Sequence, residues 1–264
     1  MLDLVGPAGD LHVVVTGDGE PGTVFVPGLA QSIADTRAFG SAVAGRRGFV
    51  DLRGHGGSAA PPDATGWTYQ GLADDVSCAA DMLDATRALG VSLGAGAIAR
   101  LLAARPDRFE RVVLALPGPL TEARTREALD VTDELARAIG QGSSVDPAAV
   151  SSALVRLQPE AVRSRTDVKL WARRHAAELA RWPGIAEAIR ELPRQTALPS
   201  LDVLAGVSGE VLVLAQRDDD VHPLSSAEAL VDVLPHAELV VSDSPWIWRA
   251  RSELRHAVSG FLNR

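Results

Sequence analysis

Two hydrophobic periods alternate along the first half of the chain. Residues 11–15 and 23–26 are short runs rich in β-branched side chains, separated by the turn-forming stretch Gly17-Asp18-Gly19-Glu20-Pro21-Gly22, and both read as strands. A third run, 48–52, ends in Arg53-Gly54-His55-Gly56-Gly57-Ser58. The spacing then changes: Leu72, Val76, Ala79, Ala80 and Leu83 share one face of a helix over 72–84. A strand at 86–91, a helix at 96–104 and a strand at 111–116 follow. This order predicts an α/β fold, a mostly parallel twisted sheet with helices on both faces.

After Pro117-Gly118-Pro119 the alternation stops. Nothing from 121 to 198 resembles a strand. Helices are predicted instead at 122–139, 147–157, 167–181 and 185–192, with Asp146-Pro147 as a helix start and Pro183-Gly184 and Pro193 as breaks. The earlier rhythm resumes with a strand at 211–215, a helix at 225–234, a strand at 238–241 and a helix at 251–262. The expected organisation is one α/β core, residues 1–118 and 205–264, interrupted by a helical cap insertion, 119–204. No internal repeat is present.

Composition narrows the function classes. The chain has 264 residues, 46% of them apolar, enough for one large domain with its own core. Cys78 is the single cysteine, which excludes an internal disulfide and a Cys-rich zinc site. A net charge of −8 argues against a nucleic-acid surface. No run approaches the roughly 20 apolar residues of a membrane span, and residues 1–10 lack the basic and apolar regions of a secretory signal. The expectation is an acidic, soluble, cytoplasmic protein with no membrane partner.

Candidate chemistry centres on Gly90-Val91-Ser92-Leu93-Gly94. A serine hydroxyl is a poor nucleophile unless it is exposed, held by a base and faced by oxyanion donors. A sharp strand-to-helix turn supplies the exposure, and flanking glycines allow the crowded backbone. The motif lies between a predicted strand and a predicted helix, as that geometry requires; the alternative is a glycine-rich turn that only lets helix approach sheet. The loop Val26-Pro27-Gly28-Leu29-Ala30-Gln31-Ser32 follows an early strand, and its Leu29 N–H could join that of Leu93 in holding an oxyanion.

Several segments, in order, resemble the α/β-hydrolase fold superfamily, specifically its esterase-like members with a helical cap. Phe25-Val26-Pro27-Gly28 is similar to the oxyanion strand and loop, and Asp51-Leu52-Arg53-Gly54-His55-Gly56-Gly57-Ser58 to the D-x-R-G-H-G-x-S turn. Ala73-Asp74-Asp75-Val76, the Ser92 motif with Ala103-Ala104-Arg105-Pro106-Asp107-Arg108-Phe109, and Val211 through Asp219 match the later landmarks. The resemblance covers nearly the whole core and is weak in the cap. It implies Ser92 as nucleophile and, from the family's usual spacing to a following proline, here Pro223, Asp219 as the acid rather than Asp218 or Asp220.

The resemblance fails at the base. The family places a histidine after the last strand, where this chain has Ser242-Asp243-Ser244-Pro245-Trp246-Ile247-Trp248-Arg249. Of the six histidines, His12, His236 and His256 read as structural or surface residues, His55 as part of its turn, and His175 as part of a basic helix surface, with a place facing the pocket as the alternative. His222 lies three residues after Asp219, at the carboxyl ends of the strands where ligands bind in open α/β sheets. It is either a relocated base or a wall residue of the pocket. Trp246 and Trp248 after the last strand, Trp171 in the cap and Gln31 in the early loop are candidate pocket residues, with core packing the alternative for the tryptophans. Asp218-Asp219-Asp220-Val221-His222 lacks a convincing metal-ligand spacing, and no glycine fingerprint for phosphate is present. Neither a metal nor another cofactor is expected; the partner is a small-molecule substrate, and a homodimer stays open.

Two functional readings remain. One is a serine hydrolase, esterase-, thioesterase- or lactonase-like, acting on a small to medium apolar acyl substrate through an atypical triad. The other is a non-hydrolytic member of the fold, either a ligand-binding pseudo-hydrolase or a cyclase or lyase using the same pocket.

Overall fold

The computed structural model describes residues 2–140 and 145–264. Eight strands form one sheet: β1 (Leu2–Gly6), β2 (Gly9–Thr16), β3 (Gly22–Val26), β4 (Arg47–Val50), β5 (Ala85–Val91), β6 (Arg111–Ala115), β7 (Glu210–Gln216) and β8 (Ala237–Ser242). Their spatial order is β1-β2-β4-β3-β5-β6-β7-β8. β2 pairs antiparallel with β1 and β4; all pairs from β4 to β8 are parallel. Period-2 alternation divides the strand residues between two cores. Val24, Val26, Ala88, Val112, Leu114, Val211 and Val213 pack on one face under α2 (Tyr69–Met82), α3 (Leu93–Ala104) and α9 (Leu224–Val233). Phe25, Leu89, Val113, Leu212 and Leu214 pack on the other with α1 (Ile33–Thr36) and α11 (Arg251–Leu262).

The expected elements are present within a few residues, and β1, α1, α6 (Glu160–Arg163) and α10 (Trp246–Arg249) are additions. β1 is an edge strand that alternates only over Leu2-Asp3-Leu4. α1 and α10 (Trp246–Arg249) are single turns with too few residues to show a period. Between β6 and β7 lie α4 (Arg126–Ile139), α5 (Pro147–Arg156), α6 (Glu160–Arg163), α7 (Thr166–Leu179) and α8 (Ile185–Glu191). α4 starts later than its periodicity suggests because the Thr125 side chain accepts from Ala128 N–H and caps it there. α4 packs on α5 and α8, and α5 on α7. Among the described residues, no helix is long and apolar enough to cross a membrane.

His175 differs from its sequence expectation. It is only 4% exposed, because Val168, Ala172, His175, Ala176 and Leu179 form the buried stripe of α7, while Arg173 and Arg174 face outward. Its Nε2 donates to the Ala30 carbonyl, tying α7 to the loop after β3.

The turn after β4 fixes that same loop from below. Asp51 accepts from Ile33 N–H at 2.7 Å, Gly57 N–H at 2.9 Å and His12 Nδ1 at 2.8 Å. Gly56 has φ +53°, and a Cβ there would stand 2.0 Å from Asp51 Oδ2, so only glycine lets the turn wrap the carboxylate. Arg53 grips Asp75 of α2 with a two-pronged contact, both bonds 2.8 Å. Burial pushes the Asp75 carboxyl up, against the pull of Arg53. Asp51→Ala leaves the Ile33 and Gly57 amides unpaired, at about 1–3 kcal/mol each. The expected result is a fall in Tm on the order of 10 °C in a thermal melt; a fall below about 3 °C would show that Asp51 does not hold the turn and loop together.

Candidate active site

Ser92 sits between β5 and α3 with φ +49° and ψ −106°, a strained conformation for a residue with a side chain. The glycines on either side make it possible. A Cβ on Gly90 would lie 2.5 Å from the Gly94 carbonyl group, and one on Gly94 would lie 2.6 Å from the Val26 and Pro27 carbonyl oxygens. These neighbours are backbone and cannot step aside. The G-x-S-x-G spacing is thus the condition for α3 to start directly above β5 and against the loop after β3. Ser92 occupies the N-cap position of α3, yet its hydroxyl makes no capping bond.

The hydroxyl instead meets His222. Ser92 Oγ lies 2.8 Å from His222 Nε2, and His222 Nδ1 lies 2.9 Å from Asp219 Oδ2. Both partners come from the loop after β7. Of its three consecutive aspartates, Asp218 and Asp220 are exposed, while Asp219 turns inward at 7% exposure. Asp219 also accepts from the Val221 N–H at 3.0 Å, the His222 N–H at 3.1 Å and the Gln216 side-chain amide at 2.6 Å. Burial alone would raise the Asp219 carboxyl; the charge and hydrogen bonds of His222, with the Gln216 amide, outweigh it and lower the pKa to about 2. An ionised carboxylate only accepts, so Nδ1 carries the ring proton and Nε2 accepts from the Ser92 hydroxyl.

The loop after β8 is closed to any such role. Trp246 is 4% exposed and packs in the core on the α11 side of the sheet. Its backbone N–H donates to Gln216 Oε1 at 2.9 Å and its indole N–H to the Ala215 carbonyl at 2.7 Å. The expectation that Trp246 lines the pocket is therefore corrected. Two residues apart on a helical turn are rotated by about 200°, so Trp246 and Trp248 cannot face the same cavity, and Trp248 is the one that does.

That cavity lies over the carboxyl ends of β3, β5, β6 and β7, beneath α4, α5, α7 and α8, with a volume of about 1050 Å³ including its open mouth. Ser92, His222 and Asp219 form part of its wall, as do Leu29, Gln31 and Trp171. Trp248 meets Trp171 edge-on with ring centres 5.5 Å apart, and its indole N–H donates to Gln158 Oε1. Gln31 serves its own loop, its Oε1 accepting from Gly28 N–H at 2.9 Å. The Leu29 and Leu93 amides make no hydrogen bond among the described residues, and the Leu93 amide belongs to the N-terminal turn of α3, which favours negative charge. Gln216, which ties Asp219 to Trp246, and Arg124 in the cavity wall carried no signal in the sequence, because both act through contacts distant along the chain. No group of three or more His, Cys, Asp or Glu side chains that could hold a metal occurs among the described residues.

A profile of the α/β hydrolase fold family matches residues 24–245. The chain belongs to the α/β-hydrolase fold family. Solved structures of the same fold include the enol-lactonase of Burkholderia xenovorans LB400, 20% identical over all of both chains with a TM-score of 0.80. Another is the meta-cleavage product hydrolase CumD of Pseudomonas fluorescens IP01, 20% identical over 100% of this chain and 97% of that one, with a TM-score of 0.79. An esterase of Thermogutta terrifontis is 20% identical over 99% of this chain and 97% of its own, with a TM-score of 0.78. At these identities the likeness is one of fold.

The lowered Asp219 pKa has a stability consequence with a definite sign. A carboxyl whose folded pKa lies below its unfolded value contributes stability above the unfolded pKa, near 3.8, and loses it as pH falls through about 2. The contribution is on the order of 2 kcal/mol. Denaturant melts of the wild type should therefore lose this amount between about pH 4 and pH 2, and Asp219→Asn should lose less over the same interval. Parallel curves for the two proteins would contradict the assignment.

Proposed function

We propose that the protein is a cofactor-independent serine hydrolase acting on an ester, thioester or lactone of a small to medium, largely apolar acyl compound. The observation that carries this reading is the unbroken chain from Ser92 Oγ through His222 to Asp219, at 2.8 and 2.9 Å. The Ser92 oxygen attacks the substrate carbonyl as its proton passes to His222 Nε2. Asp219 keeps Nδ1 protonated and stabilises the imidazolium that forms. The amides of Leu29 and Leu93 hold the developing oxyanion. His222 then returns the proton to the leaving oxygen or sulfur, giving an acyl-enzyme on Ser92. A water, deprotonated by His222, attacks the acyl carbonyl, and Ser92 leaves with the proton, restoring the starting state. The predominantly apolar wall beneath the inserted helices suits an apolar acyl group.

The feature that favoured a non-hydrolytic role was the loop after β8 without a histidine. His222 reaches Ser92 from the neighbouring strand, so that loop is not needed for proton transfer. The test is labelling with a fluorophosphonate, followed by peptide mass analysis and turnover of activated short-chain esters. Ser92 should carry the label, and Ser92→Ala should lose both label and turnover while keeping its circular dichroism spectrum. Absence of label on Ser92, or equal turnover by Ser92→Ala, would favour the binding, cyclase or lyase reading.

A further inference from the structure

Arg124 is a half-buried guanidinium in the wall of the Ser92 cavity. It lies in the segment between β6 and α4. Among the described residues, no carboxylate lies within ion-pair distance of it. One N–H donates to the Val221 carbonyl at 3.2 Å. Its other terminal nitrogen lies 2.8 Å from where a Cβ of Gly118 would stand, so the absence of a side chain at that position makes room for the fork. The Tyr69 hydroxyl lies close enough that Arg124 offsets part of the upward push that burial gives it.

Arg124, Asp219 and His222 are the ionisable side chains among the residues lining the cavity. Asp219 has no capacity left for Arg124, because its two oxygens already accept from Gln216, Val221 and His222. A guanidinium has five donors in a planar fork that matches a carboxylate, and the hydrogen bond to the Val221 carbonyl uses only one nitrogen of that fork. We infer that Arg124 is a carboxylate-binding residue, and that the compound taken up by this cavity is an anion with an apolar body and one carboxylate. This deepens the hydrolase reading: the substrate class becomes esters, thioesters or lactones that carry a free carboxylate apart from the bond to be cleaved. Through the Val221 carbonyl, the guanidinium is held one residue from His222, so the bound carboxylate lies on the same side of the cavity as the base.

The test uses two non-ester ligands, so that its outcome does not depend on hydrolysis. 4-Phenylbutyrate and its neutral analogue 4-phenylbutyramide are titrated by calorimetry into the wild-type protein, Arg124→Gln and Arg124→Lys. The wild type should bind the carboxylate about tenfold or more tightly than the amide. Arg124→Gln should bring the ratio close to one, and Arg124→Lys should keep part of the preference. An amide bound as tightly as the carboxylate, no carboxylate binding at millimolar concentration, or an undiminished preference in Arg124→Gln overturns the inference. If Arg124→Gln does not fold, the wild-type ratio and Arg124→Lys decide. Failure of the hydrolase reading would leave Ser92 unlabelled with the carboxylate preference intact, whereas failure of this inference would leave Ser92 labelled and the preference absent.

Discussion

The crowding at the turn between β5 and α3 is the constraint on which the rest of the site depends. Gly90 and Gly94 bring the first turn of α3 so close to β5 and to the carbonyls of Val26 and Pro27 that any side chain there would collide with backbone. This closeness holds Ser92 in its strained conformation and points its hydroxyl into the cavity instead of onto the helix end. It also sets the Leu93 amide beside the loop that carries Leu29. The strain at Ser92 is opposed by well-packed surroundings: Val91, Leu93 and Ala95 are nearly inaccessible. Asp51 and His175 grip the loop after β3 from opposite sides, one from the sheet and one from α7.

The second constraint is local to the loop after β7. Asp219 and His222 are three residues apart, so one turn of chain can orient the ring without help from another strand. The carboxylate first organises the turn by accepting the Val221 and His222 amides, then takes the ring N–H with its other oxygen. Gln216 extends this arrangement to α10: its amide nitrogen donates to Asp219, and its oxygen accepts from the Trp246 N–H. The Pro245-Trp246 segment is thereby a structural support for the acid. Its indole fills the core on the α11 side instead of reaching the cavity.

Much of this was legible in the chain. Apolar, β-branched runs in the central strands and the glycine spacing around Ser92 are local signals, and both correspond to what those residues physically require. The three consecutive aspartates could be separated only by the spacing to Pro223; the fold separates them by turning Asp219 inward while Asp218, with φ +55°, stays at the surface. His222 was legible as either a relocated base or a wall residue, and the chain could not separate the two, because its contact with Ser92 joins residues 130 positions apart. The burial of His175 is hidden in the sequence by its arginine neighbours, although the stripe Val168, Ala172, His175, Ala176 and Leu179 has helical spacing. The inward turn of Trp246 leaves no mark in the sequence, because the one-turn helix that rotates it away from Trp248 has no sequence period of its own. Gln216 and Arg124 act only through contacts made in three dimensions.

The central claim is that the base serving Ser92 comes from the loop after β7. It is tested most directly by kcat/KM for activated esters in wild type, His222→Ala and His222→Gln, with thermal melts confirming that each protein is folded. The account predicts a loss of about a thousandfold or more in both variants, as expected for removal of a triad base, in proteins whose melts still show a cooperative folded state. A loss smaller than about tenfold in a folded His222→Ala protein would contradict it and show that another group takes the proton from Ser92.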